Sequence, residues 1–364
     1  MMRPGNWRAL LAAGVAAAAA VDGAWAQQSW QELVRAAETE GKVVVIGPPI
    51  APHRETIQQF QKAFPKIALE YSGMTASESE PRLRAERKAG VYNWDVIVSG
   101  VSATLYTAQI PAGWLAPIRD VIRPENARDE LWIGGYDASF LDKERKRVFA
   151  TQATVSHMIL VHRGLIPRGE IKDMSDLLDP KWKGKIALYD PRLRGPGITP
   201  LIQFMLAVGE DNARKFLREQ DVVVTTTTRQ LAEWAMRGRY PITFGLAEGE
   251  RHPYQVQGIG KEVEPLPLPP RLQSVSPQWG AVVLVSNQPH PAASAVFINW
   301  LLSRDAQADW AKRAQVNSRR TDVPPGDPGS LIDAATWING LKLNSEASVP
   351  VALQGLRLAT EGLK

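Results

Sequence analysis

Residues 176–192 read DLLDPKWKGKIALYDPR, and the way this stretch divides decides the fold. Leu177 and Leu178 end a short helix that Asp179-Pro180 terminates, because the proline ring clashes with a helical residue before it. Ile186 to Leu188 then reads as a short buried strand. A strand followed by a Gly/Pro loop and a new helix is where α/β proteins hold ligands, beyond the carboxyl ends of strands and near helix N-termini.

Working outward, strand and helix alternate on both sides. Downstream, GPGITPLIQFMLAVG is a loop and a helix, with Thr199 as cap and Pro200 in the first turn. DNARKFLREQ is a helix, VVVTTTT a strand, RQLAEWAMRG a helix with Leu231, Trp234 and Ala235 on one face, and YPITFG a strand. Upstream, SWQELVRAAETEG is a helix closed by Gly41, KVVVIG a strand, and HRETIQQFQKAF a helix stopped by Pro65. IALEYSG and WDVIVSG are strands around the helix PRLRAERKAG. This βαβαβ order predicts an α/β protein with parallel, doubly wound sheets. RVFATQATVSHMILVHRG, a long β-like run, and EVEPLPLPP with SPQWGAVVLVS beyond it, link the two halves. HPAASAVFINWLLSRDAQADWAKRA reads as one long amphipathic helix with Val296, Trp300, Leu301 and Trp310 in the core. NSRRTDVPPGDPG is a loop, and a helical segment begins near Ser330.

The first residues predict export. Arg3 and Arg8 flank a positive n-region, LLAAGVAAAAAV is an apolar run, and Ala24-Trp25-Ala26 has the A-x-A pattern of a cleavage site, so the mature chain is expected to start at Gln27. The run is shorter than the ~20 residues that a spanning helix needs. The chain has no cysteine, so an exported product relies on core burial alone, and lipid attachment through an N-terminal cysteine is excluded. The 43 basic and 38 acidic residues give a net charge of +5. Signs are interspersed, as in RPENARDE and LDKERKR, which is the pattern of solvated faces and not of a nucleic-acid footprint.

With these residues in hand, DLLDPKWKGKIAL resembles the entry to the second lobe of bacterial extracellular solute-binding proteins, in the type II periplasmic group that includes the ferric-iron binding proteins. VVLVSNQPHPAASAVFINWLLSRDAQ resembles the return strand and helix of the same family, and MRGRYPITFG its helix-to-strand step. The likeness runs from about Val43 to Val323. It implies two doubly wound α/β lobes joined by two crossover strands and closing on a ligand: lobe one at 27–153 and 270–325, lobe two at 154–269, and a C-terminal helical segment at 326–364 packed on the lobes. It further implies a periplasmic monomer, without cofactor, that delivers a small solute to an ABC transporter permease in the inner membrane. A sensing module for a membrane receptor shares the same binding chemistry. In this family setting Trp182 is packing, Gly184 a turn, and the lysines solvated.

Strand ends and helix starts nominate the ligand contacts. In lobe one these are Pro49, Ser72, Ser99, Gly100 and Ser102; in lobe two, Asp190, Arg192, Gly197, Thr199 and Glu248. Trp279 joins them from the return segment, and Arg319 and Arg320 from the loop after the long helix, where a guanidinium fork suits a carboxylate or phosphate. The mild positive charge is compatible with an anionic or organic solute. The ferric-binding members carry adjacent tyrosines where this chain reads GLAEGE, which argues against a tyrosinate iron site, with Tyr254 alone nearby. No metal site is expected.

Catalytic motifs are lacking: no H-E-x-x-H, G-x-S-x-G, P-loop or G-x-G-x-x-G occurs. His53, His157, His162, His252 and His290 read as structural histidines, His157 and His162 on opposite faces of a linking strand. A cofactor-free enzyme on the same fold is the remaining alternative to a binding protein.

Overall fold

The computed structural model describes residues 29–193, 196–246 and 248–363, so the proposed signal peptide and its cleavage site lie outside the described residues. The chain divides into two units, Met1–Gln152 with Pro277–Pro328, and Ala153–Ser276 with Gly329–Lys364.

In the first unit the strands are β1 (Lys42–Gly47), β2 (Ala68–Gly73), β3 (Val96–Ser99), β4 (Leu115–Ala116) and β5 (Phe149–Ala150). The second unit contributes β6 (Thr154–Ser156), β7 (Ile159–His162), β8 (Ile186–Tyr189), β9 (Val223–Thr225), β10 (Ile242–Phe244), β11 (Val263–Pro265) and β12 (Ser274–Ser276), after which β13 (Ala281–Val285) returns to the first.

The first sheet has the order β2-β1-β3-β13-β4, with β5 also on β13. β1 pairs in parallel with β2 and β3, in register Val45 to Tyr71 and Val45 to Val96, whereas β13 runs antiparallel to β3. Parallel neighbours follow from helical crossovers, Ala51–Gln58 before β2 and Ala76–Lys88 before β3. Val43, Val45, Val96 and Val98 share the sheet face that packs with Phe297 and Ile298 in the core. Asp95 anchors this arrangement from a fully buried position. It accepts from the backbone N–H of Val44 (2.7 Å) and of His290 (3.0 Å) and faces His290 Nδ1 at 2.9 Å.

The second sheet has the order β11-β7-β10-β8-β9. β8 is parallel to β9 and β10, and β7 is antiparallel to β10 and β11. Ile159, Ile186, Leu188, Phe204, Phe216 and Phe244 form one core layer, and Leu160, Ala187, Leu231 and Ala235 the layer on the other face.

The lysine cluster before β8 has a structural explanation. Trp182 is buried and donates its indole N–H to the Asp176 carbonyl (2.9 Å). The ammonium groups of Lys181 and Lys185 lie 4.7 and 5.6 Å from its ring centroid. At such a partly exposed site each cation–π contact contributes about 0.5–1 kcal/mol. Gly184, at φ +73°, makes the turn into the strand.

Several elements differ from the sequence reading. The expected long helix is two helices, Pro291–Leu301 and Arg304–Ala314, because the Ser303 hydroxyl accepts from Ala306 N–H (3.3 Å) and starts a new one. The run after Arg147 is strand-rich as its sequence reads, but it is broken into β5, β6 and β7, with β7 in the sheet of the second unit and His157 in the gap between β6 and β7 rather than on a strand. The chain leaves the first unit after Gln152 and re-enters it at Pro277, and β12 stays in the second unit, paired with β6. The C-terminal helix Val349–Gly362 belongs to the second unit, with Gly355 against Ile202 and Gly362 against Leu217 so closely that a Cβ would stand 2.4 and 2.5 Å from those side chains.

Candidate functional site

Because β1, β2 and β3 run in one direction, their carboxyl ends form a rim in the first unit, and antiparallel β13 begins beside it. Gly47, Pro48 and Pro49 end β1, and Met74 N–H donates to the Gly47 carbonyl (2.9 Å). Tyr71 covers Gly47, where a Cβ would sit 2.5 Å from the ring, and its hydroxyl donates to the Pro48 carbonyl. Burial pushes this phenol up to about 12, so it stays protonated, with the Arg54 guanidinium 5.8 Å from the ring centroid opposing the shift. Pro49 is exposed, and Ser72 is half-buried at the end of β2.

The other rim serines satisfy their own chain: Ser99 Oγ donates to the Gly100 carbonyl (2.9 Å), and Ser102 Oγ donates to the Glu80 carboxylate. Gly100 lies under the Gln278 carbonyl, 3.3 Å from where a Cβ would be. Trp279 is half-buried, its ring centroid 6.5 Å from that of His53. Arg54 is the rim residue that sequence reasoning missed; it stands early in the helix after β1, and that position was its only signal.

In the second unit the rim is built around Tyr189, Gly197 and Gly245. A Cβ on Gly197 would lie 2.2 Å from the Tyr189 carbonyl oxygen, and Gly245, at φ +96°, brings its own Cβ position to 3.1 Å from Gly197 Cα. The helix therefore starts at Ile198, with Gly197 at its cap position, and Thr199 lies inside the helix and is not its cap. Gly197→Ala is expected to cost about 1–3 kcal/mol through overpacking against backbone. It is also expected to shift the helix start enough to weaken solute binding at least roughly tenfold by calorimetry; unchanged stability and affinity would show that the close approach is not needed.

Asp190 and Arg192 occupy each other. The buried Asp190 carboxylate accepts from Arg192 N–H (2.9 Å), Nε (2.9 Å) and Nη2 (2.8 Å), while Arg192 Nη1 donates to the Leu363 carbonyl (3.0 Å). The hydrogen bonds from Arg192 hold the Asp190 carboxyl below its ordinary value. Beyond β10, Glu248 opens the helix Glu248–Val256. One turn further, Arg251 is only 6% exposed, and burial lowers its guanidinium. His157 is half-buried in the β6–β7 gap, and Gly245 N–H donates to the adjacent Met158 carbonyl (2.8 Å). Burial, and then the charge of Arg251, depress the His157 imidazole. Neither residue carried a sequence signal beyond its place near a strand end.

Arg319 and Arg320 require correction. They were read as loop arginines available to an anion, but both are interior members of the first unit. The fully buried Arg319 donates to the Ala150 carbonyl (3.3 Å) and to the Ile133 carbonyl. Burial lowers its guanidinium to about 9, which leaves it charged at neutral pH. Arg320 grips Asp322 with Nε and Nη2 (2.8 Å each) and donates to the Leu302 carbonyl (2.9 Å). Bridges from Gln152 to Ser318 and from Trp132 to Arg320 draw the segment into strand-like pairing. These contacts remove both guanidinium groups from a solvent-facing loop.

The family model for bacterial extracellular solute-binding proteins matches residues 55–330. The chain belongs to that family. Among solved structures, this solute-binding protein is similar to a Trichodesmium FutA in complex with iron and citrate, with a TM-score of 0.64 and 15% identity over 89% of this chain and 100% of that one. It is similar to iron-bound HitA from Pseudomonas aeruginosa, with a TM-score of 0.62 and 15% identity over 88% and 98%. The substrate-binding protein of an Agrobacterium tumefaciens ABC transporter gives a TM-score of 0.60 and 17% identity over 89% and 94%. At these identities the likeness concerns the type II periplasmic binding fold. An uncharacterized protein of Haemophilus influenzae is 27% identical over 213 residues, which span 50% of this chain and 60% of that protein.

Among the described residues of this solute-binding protein, no three His, Asp or Glu side chains converge as metal ligands. No described helix is long and apolar enough to cross a membrane. Tyr254 lies in a groove of about 400 Å³ with Thr228, Arg229, Ala232, Glu250, Pro253 and Gln257. His53 accepts from the Trp310 indole (2.8 Å), and His290 rests on Asp95, so these two histidines have structural work.

Proposed function

We propose that the protein works in the periplasm, captures a small organic or anionic solute at the loop-bearing strand ends of its α/β units, and delivers it to an ABC permease of the inner membrane. The observation that carries the reading is that the first sheet ends in glycine- and serine-bearing loops and the second in glycine- and threonine-bearing loops, each leading into helix starts, in a chain whose family binds extracellular solutes. Pro49, Ser72, Gly100 and Trp279 in one unit, and Gly197, Thr199 and Glu248 in the other, are the proposed lining. Arg319 and Arg320 are left out for the reasons given. Mass spectrometry of solute retained by gently purified protein tests the reading, with small-angle scattering before and after solute addition. A bound small molecule and a smaller radius at saturation are expected. Steady chemical turnover of that molecule, or no retained solute and no response to extracts, would overturn it.

A second reading, capture of an iron complex, draws on the iron and citrate in the Trichodesmium structure. The Tyr71 hydroxyl is committed to a carbonyl and pushed up to about 12, and GLAEGE stands where the ferric-binding members carry tyrosines. Titration with ferric citrate is therefore expected to leave the visible spectrum free of a tyrosinate charge-transfer band. A purple-red band lost on Tyr254→Phe would show a tyrosinate site after all.

A further inference from the structure

We infer that the second unit binds a zwitterion with an apolar body, of the amino-acid class, in the groove between the helices Thr228–Met236 and Glu248–Val256, with Glu250 receiving the ammonium group and Arg229 the acid group. The inference rests on the solute-binding reading above and adds the ligand's class and the residues that select it.

The groove has a volume of about 400 Å³ and lies between Thr228, Arg229 and Ala232 of the first helix and Glu250, Pro253 and Tyr254 of the second. Pockets of this size take small organic molecules. The two helices follow β9 and β10, both parallel to β8, so the groove begins beyond the carboxyl ends of the sheet. Ala232, Pro253 and the Tyr254 ring give it an apolar wall.

Two opposite charges on that wall are left unmatched. One carboxylate oxygen of Glu250 is shut off from water and accepts no hydrogen bond from any described residue. Buried polar atoms are nearly always matched, so an unmatched one beside a groove marks a donor that the chain does not supply. Arg229 makes no ion pair among the described residues, with Glu250 or with another acid; Glu233, one turn on, is taken by Arg237 at 3.5 Å. Thr227, at the cap position of the helix Thr228–Met236, makes no side-chain bond to its first turn, which leaves amide N–H groups there for an acid group. A simple cation in this groove is opposed by Arg229 and a simple anion by Glu250. A molecule with both charges satisfies each side chain, and its ammonium gains the face of Tyr254 as well.

The test uses the chain from Gln27 onward in calorimetric titrations with a panel of L-amino acids. The best binder is then compared with its decarboxylated amine and its deaminated acid; for leucine these are 3-methylbutylamine and 4-methylpentanoate. The zwitterion is expected to bind at least roughly tenfold tighter than either relative. Glu250→Gln is expected to weaken the zwitterion roughly tenfold and to close its advantage over the deaminated acid. Arg229→Gln, at an exposed side chain, is expected to cost roughly fivefold and to narrow the advantage over the amine. A merely structural role would weaken all three ligands alike, and that result, or unchanged advantages in both variants, would overturn the assignment to this groove. If Glu250→Gln does not fold, Glu250→Asp takes its place in the same comparison. An amine or acid that binds as tightly as the zwitterion, or no response to any amino acid, would overturn the zwitterion. The solute-binding reading is judged separately by the retained molecule: a retained sugar or polyacid would sink this inference and leave that reading standing.

Discussion

Replacing Arg319 with alanine is expected to lower the melting temperature of ligand-free protein by roughly 10 °C or more, an effect of about 3–5 kcal/mol on a unit of this size. The side chain is wholly buried, and its guanidinium donates to the carbonyls of Ala150 and Ile133. Its backbone is bonded on both sides as well, Arg319 N–H to the Thr151 carbonyl (2.7 Å) and Ile133 N–H to the Arg319 carbonyl (2.8 Å). The guanidinium thus ties the segment after the helix Arg304–Ala314 to β5 and to the turn at Ile133. Truncation leaves a cavity and strips charge-assisted donors from two interior carbonyls, each of which costs about 1–3 kcal/mol when left unmade. Arg319→Met separates the two terms. It refills much of the cavity and removes the desolvation cost of the charge, so a smaller loss of about 1–3 kcal/mol is expected. A solvent-facing arginine used only for ligand capture would show the opposite pattern, with an unchanged melting temperature in both variants and a loss confined to affinity. Urea unfolding of both variants without solute decides between the two.

The sequence made the alternation of strand and helix legible where a parallel strand is an apolar run bounded by a glycine or proline turn, as in KVVVIG before Pro48 and KIALYD before Pro191. Elements whose boundaries depend on one polar hydrogen bond were less legible. Ser303 divides one periodic pattern into two helices, and the pattern of Val296, Leu301 and Trp310 carries no trace of the break. Thr199 has the composition of a cap, yet the contact of Gly197 with Tyr189 starts the helix before it; that contact is tertiary and has no local signal.

The candidate site was legible in position and not in chemistry. Strand ends located the rims, but whether a side chain there is available depends on partners distant in sequence. Arg192 is absorbed by Asp190 and the Leu363 carbonyl, and Ser102 by Glu80. Adjacent arginines in a Pro/Gly-rich stretch read as solvated, and only the bridges to Gln152 and Trp132 draw them inside. Conversely, Arg251 lies in a segment without any motif, and its burial is what distinguishes it.

The second large effect is expected with acid. His53, on the helix after β1, is 5% exposed, and its Nδ1 accepts from the Trp310 indole N–H at 2.8 Å with the rings edge-on at 5.8 Å. Burial lowers its imidazole to about 4, against about 6.5 in an unfolded chain. Between those two values the unfolded chain binds more protons than the folded one, so stability rises with pH in that window. The contribution is complete above roughly pH 6.5 and is lost as pH falls toward 4, with a total on the order of 3 kcal/mol. Geometry gives the same sign, because a proton on Nδ1 turns the acceptor into a donor facing the indole N–H. The half-buried His157, also depressed, adds in the same direction, and titrating carboxylates contribute to the raw profile. A variant isolates His53: His53→Asn keeps an acceptor near the position of Nδ1 and has nothing to titrate. Urea unfolding at pH 7 and pH 4.5 should show the parent losing roughly 2 kcal/mol more than His53→Asn across the interval. Equal losses would mean that His53 takes up its proton as readily folded as unfolded, and that the bond to Trp310 does not hold it neutral.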